Sequence, residues 1–493
     1  MARRRALPLI EDFDSIPEEA LVPVEEQPYE IPQTWRWVRL GSVSQINPPK
    51  PRSTALPDVL EVPFIPMASV SDRTGTVSEI EFRPLHKVSK GFTYFGSGDV
   101  LFAKITPSME NGKSAVVPEL PDNLGFGSTE FYVLRPVKEV LNANYLHIFL
   151  RQKKYRDVAR QAMTGAVGQQ RVPRPFLENT PFPLAPQVEQ ERIVGLLEDR
   201  LARIDEVIER SESVLEGFDK QTENLIRAAV SGHLTEDWRE KHSSARNEMS
   251  LETSTDNEAS SAQKRGAKKG KLPLIEDFDN IPERALVPAE EQPFKIPKTW
   301  QWVRLGSASE VFSGGTPSTK HPEYFDGDIP WITPADLGGL ESMYVSNGRK
   351  SITQKGLDNS SAVLLPSGTV CLSSRAPVGH VAIAANPLAT NQGMKNFIPT
   401  EVLDSQYLYY YLKASKALLE SRASGTTFLE LSATRASAVP LALAPLEEQV
   451  IIARILSTQT EKIEAAKSFV LDSLDRLKEL RSGTISAALS GHL

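Results

Sequence analysis

The chain has 493 residues, 24% of them charged, and a formal net charge of -7. That length exceeds one ordinary core and predicts several domains, and no uninterrupted apolar run approaches the roughly 18 residues a membrane helix needs. Cys371 is the only cysteine, which excludes an intrachain disulfide and a cysteine-based zinc cluster, and Met1-Ala-Arg-Arg-Arg runs into Pro8 and Glu11-Asp12 instead of a signal-peptide core, so the expected location is a reducing cytoplasm.

The chain opens on a segment that recurs. Leu7-Pro-Leu-Ile-Glu-Asp-Phe-Asp returns as Leu272-Pro-Leu-Ile-Glu-Asp-Phe-Asp, and the match runs without a gap to Ser42 and Ser307. About four in five aligned positions are identical, including Trp35-x-Trp37-Val-Arg-Leu-Gly41 against Trp300-x-Trp302-Val-Arg-Leu-Gly306. The Pro- and Glu-rich stretches 7–33 and 272–298 are expected to run extended over the surface or along the helices. The four tryptophans belong to constant sequence and are assigned to domain packing.

Residues 43–181 carry 17 basic against 13 acidic side chains, a local excess that the global charge hides. Asn47-Pro48-Pro49-Lys50 resembles the Asn-Pro-Pro-aromatic signature of amino-methyltransferases. Lysine stands where an aromatic ring would stack on the target base, and no Gly-rich cofactor loop accompanies it, so it reads as a proline-rich turn. Val100 to Ile105 and Phe131 to Leu134 are predicted strands, and 145–160 a helix. Asn111-Gly112-Lys113-Ser114 imitates the end of a phosphate-binding loop, but Pro107 occupies the required first glycine.

At Pro186-x-x-Glu189-Gln190-x-x-Ile193 the charge changes sign: 187–234 holds 11 acidic and 6 basic residues. Leu197, Leu201, Ile204, Ile208, Leu215, Phe218 and Leu225 fall on steps of three and four, which predicts one long helix with an apolar stripe. A second such segment opens at Pro445-x-x-Glu448-Gln449-x-x-Ile452, carries Leu456, Ile463, Val470, Leu474 and Leu477, and ends on Ser490-Gly-His-Leu493 as the first ends on Ser231-Gly-His-Leu234. Each stripe is longer than an average globular helix, and the two are expected to pack on each other; two helices lying separately on their own domains is the competing reading. The Ser-, Glu- and Lys-rich stretch 235–271 is expected to be a flexible linker.

The second insert, 308–440, matches the first in length but aligns with it poorly. Val370 to Leu372 and His380 to Ile383 are predicted strands, and 407–423 a helix. Asp326 and Asp328 read as solvated turn residues, and the seven histidines lie without metal-ligand spacing. No convincing catalytic constellation emerges. The organisation is therefore 1–42 constant, 43–185 variable, 186–234 long helix, 235–271 linker, 272–307 constant, 308–444 variable and 445–493 long helix.

This constant–variable–constant plan, repeated, with its Pro-x-x-Glu-Gln-x-x-Ile openings, resembles the specificity subunits of type I restriction-modification systems. Ser313-Gly-Gly-Thr-Pro-Ser318, Ile329-Pro-Trp-Ile332, Ser373-Ser-Arg-Ala-Pro-Val-Gly379 and Thr390-Asn-Gln-Gly393 resemble that family's target-recognition domains, as do Gly98-Asp-Val-Leu-Phe-Ala-Lys-Ile-Thr-Pro107 and Glu110-Asn-Gly-Lys113. The resemblance implies an α+β fold of two mixed α/β target-recognition domains separated by two long helices packed as an antiparallel coiled coil, with a pseudo-twofold repeat. It further implies a non-catalytic subunit that reads a split double-stranded DNA site, one half per domain, with the helices as a ruler. Its partners would be two modification subunits that methylate adenine with S-adenosylmethionine and restriction subunits that use ATP and Mg; the chain itself would hold no cofactor.

Base edges call for amide and guanidinium groups, and phosphates for Lys and Ser/Thr. On that chemistry the DNA-facing candidates are Lys104, Thr106, Ser108, Asn111, Lys113, Gln169, Gln170 and Arg171 in the first domain. In the second they are Thr316, Ser318, Lys320, Ser374, Arg375, Asn391, Gln392, Lys395, Thr426 and Thr427. For each one singly, an ordinary turn residue or a satisfied structural polar group is the competing reading. Two other functions compete with the whole: a non-DNA scaffold carrying two protein-binding domains, and a self-contained methyltransferase supported only by Asn47-Pro-Pro-Lys.

Overall fold

Each copy of the repeat builds the same frame from the same residues. In the computed structural model, which describes residues 7–50, 59–166, 168–242, 272–375, 377–424 and 430–492, strand Arg36–Arg39 pairs antiparallel with Pro181–Leu184. Gln301–Arg304 pairs likewise with Pro440–Leu443. The extended stretches before them are tied down by matching backbone bonds: Ile10 N–H to Ser42 O (2.8 Å) and Ile275 N–H to Ser307 O (2.7 Å), Val22 N–H to Trp37 O and Val287 N–H to Trp302 O (3.0 Å each). Ile10, Ala20 and Val22 are buried by this, as are Ile275, Ala285 and Val287. Trp35, Trp37, Trp300 and Trp302 are buried too, which fits packing and leaves no ring face for a base.

The chain forms two compact units, Met1–Glu212 with Val470–Leu493, and Ser213–Phe469. In the first, one sheet has the order Ser44–Ile46, Phe131–Pro136, Val100–Ala103, Ser114–Val116, and a second sheet the order Glu81–Pro84, Glu61–Ile65, Gly125–Gly127, Thr93–Phe95. The second unit repeats the plan: Ser309–Ser313, Met394–Pro399, Val370–Ser374, Val378–Ala384 and Tyr344–Val345 in one sheet, Lys350–Ile352, Phe325–Ile332 and Ala389–Thr390 in the other. Buried Val, Leu and Phe side chains fill the central strands, such as Val100 to Ala103.

Helix Gln187–Val230 and helix Leu446–Leu489 each span 44 residues. In the first unit Leu197 shares a core with Ile485 and Leu489, and Asp205 pairs with Arg481 at 2.8 Å, so the two helical segments run antiparallel. In the second unit Ile226 and Val230 share a core with Ile452 and Leu456, and Asp219 meets Lys467 at 2.8 Å, again antiparallel. The striped positions Leu201, Ile204, Leu215, Phe218 and Leu225 all lie on the less exposed face, although only Leu197 and Ile208 of that stripe are fully buried. Of the second stripe Leu456, Ile463 and Leu474 are buried. Each of these helices carries in its first turn a glutamine that acts as a plug. Gln190 Nε2 donates to Val140 O and Ala185 O while its Oε1 accepts from Asn142 N–H; Gln449 does the same with Val402 O, Ala444 O and Asp404 N–H.

Four expectations change. The helix expected over 145–160 is two, Ala143–Arg151 and Lys153–Gln161, because Gln152 is extended (φ -55°, ψ 133°) and this turns the second helix so that Tyr155 tucks against Phe149, ring centroids 4.9 Å apart. The helix over 407–423 divides likewise into Ser405–Ala414 and Lys416–Arg422. The start of the supposed linker is ordered: Thr235 is buried, residues 236–242 are helical, and Thr235 Oγ1 and Arg239 both bond the carboxylate of Glu448, which also accepts from Trp300 Nε1 at 2.9 Å. The rest of that stretch, 243–271, lies outside the described residues. Asp326 and Asp328 sit on a bulged strand and not in a turn, with Asp326 at φ 60°.

Candidate functional site

In the first domain the candidates gather where strands Val100–Ala103 and Phe131–Pro136 end. The backbone does the gathering. Lys104 N–H donates to Glu130 O (2.9 Å), Val172 N–H to Lys104 O (2.9 Å), and Thr106 N–H to Gln170 O (3.0 Å). Thr164 and Arg171 exchange two backbone bonds that close the loop carrying Gln169 and Gln170, with Gly165 and Gly168 at φ 125° and 80°, values that favour glycine. Asn47, the first residue of the methyltransferase mimic, ends a strand by bonding Val133 from both its main chain and its amide, as a turn residue would.

The side chains are then distributed unevenly. Arg171 grips Glu130 with two bonds of 3.0 and 2.9 Å, and also donates to Gln169 O, which steadies the loop. Arg171 holds the Glu130 carboxyl below its usual range. Lys104 lies over the Tyr132 ring at 5.2 Å, and burial lowers its ammonium pKa against the pull of Glu130. Asn111 and Gln169 are exposed; Thr106, Ser108 and Gln170 are half-buried. Lys113 is committed elsewhere, its ammonium donating to Met67 O at 3.0 Å.

The second domain sets its candidates on the same backbone frame. Ser374 N–H donates to Gly393 O (2.8 Å), Leu431 N–H to Ser374 O (2.9 Å), and Ser424 and Glu430 exchange two backbone bonds. Thr426 and Thr427 fall outside the described residues. Gly314 and Gly315 dock the loop of Thr316, Ser318 and Lys320 on Thr390 and Asn391, where a Cβ on Gly314 would collide with Asn391 O. Trp331 Nε1 donates to Gly315 O at 3.0 Å, so three of the quoted segments meet here.

Thr316, Ser318, Lys320 and Gln392 are exposed, and Arg375 and Asn391 half-buried. Ser374 and Lys395 depart from the expectation of a surface contact: both are buried, with Lys395 Nζ 3.2 Å from Ser374 Oγ, so they lie beneath the exposed face. Asn391 uses its Oδ1 to accept from Gly393 N–H, a turn role. Glu130 and Glu430 escaped the sequence reading, since no motif marks a carboxylate that matters only when distant strands bring it beside an arginine. Cys371 is inert, its thiol pushed up to about 12 by burial. Among the described residues no cluster of His, Cys, Asp and Glu could hold a metal, and no helix is long and apolar enough to cross a membrane.

Comparison with known proteins agrees with this architecture. The profile described as "Type I restriction modification DNA specificity domain" matches residues 32–216 and 297–471. The chain is 31% identical over 352 residues to the Type I restriction enzyme EcoAI specificity subunit of Escherichia coli, covering 66% of this chain and 57% of that protein. It is 45% identical over 175 residues to the MjaIX specificity subunit of Methanocaldococcus jannaschii, covering 35% and 40%. The chain thus spans 57% of the length of the first of these relatives and 40% of the second. A solved structure described as the basis of complex assembly and conformational transition of the type I R-M system shares the fold, with TM-score 0.66 at 22% identity, covering 94% of this chain and all of that one.

Proposed function

The chain belongs to the type I restriction-modification DNA specificity family, and from that premise we propose that it is a non-catalytic reader of a split double-stranded DNA site, each variable domain reading one half. One observation carries the reading. A single backbone frame occurs twice and presents different polar side chains at the same place: Lys104, Thr106, Gln170 and Arg171 on one copy, Arg375, Asn391 and Gln392 on the other. Two readers of unlike half-sites need a constant support with variable contacts, because sequence is read by side chains at base edges while position is fixed by phosphate contacts.

The long helices would set the separation of the half-sites. The duplicated frames, alike in sequence and hydrogen bonding, would hold two copies of a modification subunit that methylates adenine with S-adenosylmethionine; restriction subunits using ATP and Mg would complete the assembly. A duplicated protein-binding scaffold explains the repeat but gives no reason for the variable faces to diverge.

Methylome sequencing of cells with and without this chain tests the proposal. A split adenine-methylated motif should vanish with the chain; an unchanged set of methylated motifs would refute it.

A further inference from the structure

The two frames can be superposed residue by residue through their hydrogen bonds. Val100 pairs with Leu134 and Leu101 with Val133, as Val370 pairs with Phe397 and Cys371 with Asn396. Extending that register places Lys104 with Ser374, Ile105 with Arg375, Glu130 with Gly393, Tyr132 with Lys395 and Arg171 with Glu430, the first, third and last supported by matching backbone bonds. No residue is the same at any of these five positions. Yet each domain carries one ammonium, one guanidinium and one carboxylate there: Lys104, Arg171 and Glu130 in the first, Lys395, Arg375 and Glu430 in the second. The arginine and glutamate are 2.9 Å apart in one and 4.0 Å in the other, and each lysine feels both.

A set kept for folding would stay on one set of positions. These ion pairs are partly exposed, with side-chain accessibilities of 43% and 27% for Arg171 and Glu130 and of 35% and 46% for Arg375 and Glu430. Such pairs add little to stability, so the fold gives no reason to rebuild one with its members exchanged between strands. What persists is the trio of charges at the strand ends, its guanidinium and carboxylate partly exposed in both copies while Lys395 lies buried beneath them in the second. We propose that the two permuted triads are the base-reading centres of their domains, and that Glu130 and Glu430 are specificity determinants within them.

This rests on the DNA-reading function above. A carboxylate beside a guanidinium orients the donor fork and is itself an acceptor for the amino groups that adenine and cytosine present in the major groove. It is also repelled by phosphate, so it turns the triad from the backbone toward base edges.

The test is selection from a duplex DNA library with a randomised core, using the full-length chain in the complex it forms in cells, and the variants Glu130→Gln and Glu430→Gln. Each should relax preference at a position of one half-site by roughly 5- to 150-fold, leaving the other half-site as in the wild type. Unchanged preferences, or an equal loss of affinity for all sequences, would overturn the triads while leaving the reading of DNA intact. A wild type that selects no split motif would overturn both. Because the two substitutions lie in different domains, each variant's untouched half-site reports that the chain is folded, and Arg171→Lys, which keeps the charge but loses the fork, should relax the same half-site as Glu130→Gln.

Discussion

Single residues here work mostly by finishing hydrogen bonds that the repeat leaves open, and His147 shows what that implies for pH. Its Nε2 lies 2.9 Å from Ser114 O, and burial, reinforced by the Arg151 guanidinium, lowers its pKa to about 4. The unfolded chain titrates near about 6.5, so between those values the unfolded state binds the extra proton. Stability therefore falls as the pH drops from 6.5 to 4, and this one group removes about 3 kcal/mol by pH 4. Carboxylates titrate over the same range, so the informative quantity is a difference: His147→Gln, which keeps a donor for Ser114 O, should show a shallower loss of denaturant resistance between pH 6.5 and 4 than the wild type. Identical slopes would mean that the imidazole is already protonated in the fold. Little of this was legible beforehand. His147 shows in the sequence only as one polar letter in a predicted helix, and its counterpart in the second domain is Tyr409. Gln190 and Gln449 stood in a recognised motif, but their role as three-bond plugs needs the loops that they reach across.

Elements divide into those fixed by periodicity and those fixed by distant partners. The long helices belong to the first kind, and their two classes of contact should differ in worth. Leu474 is 3% exposed on the inner face, and truncating a buried leucine costs about 2–5 kcal/mol. The Asp205–Arg481 pair leaves 40% and 23% of its side chains accessible, which limits it to about 1 kcal/mol. Leu474→Ala should lower the guanidinium midpoint clearly and Asp205→Ala hardly at all; equal shifts would mean that charge, not the apolar seam, holds the helices. The stripe, the constant frame and the central strands were legible because each obeys a local period of 3.6 or 2. The breaks at Gln152 and Ser415 were not, since neither residue is a helix breaker, and tertiary packing of Tyr155 and Leu419 decides them. Nor was the anchoring of Thr235 and Arg239, which depends on a carboxylate more than 200 residues away.

At the scale of the whole molecule, charge and length bear on the proposed ruler. The helix beginning at Gln187 is acidic, with 11 acidic and 6 basic residues over 187–234, so phosphate would repel it, and in the proposed reader DNA contact would fall to the domains. Its 44 residues amount to about 66 Å at 1.5 Å each. Suppose seven residues of matching apolar pattern are inserted into both helices, after Glu212 in one and before Val470 in the other, where the chain passes between its compact units. Each helix lengthens by about 10.5 Å, the rise of about three base pairs at 3.4 Å. Seven residues fall about 20° short of two full turns, so the seam stays nearly in register. Three base pairs, by contrast, turn the duplex by roughly 100°, given 10–10.5 per turn. The lengthened protein should therefore keep both half-sites, gain about three undefined base pairs between them, and methylate the new motif less completely, because DNA or helices must twist to bring both faces to the groove. Methylome sequencing reads all three quantities at once, and a spacer that stays unchanged in a stably folded insertion variant would remove the helices from any part in measuring the site.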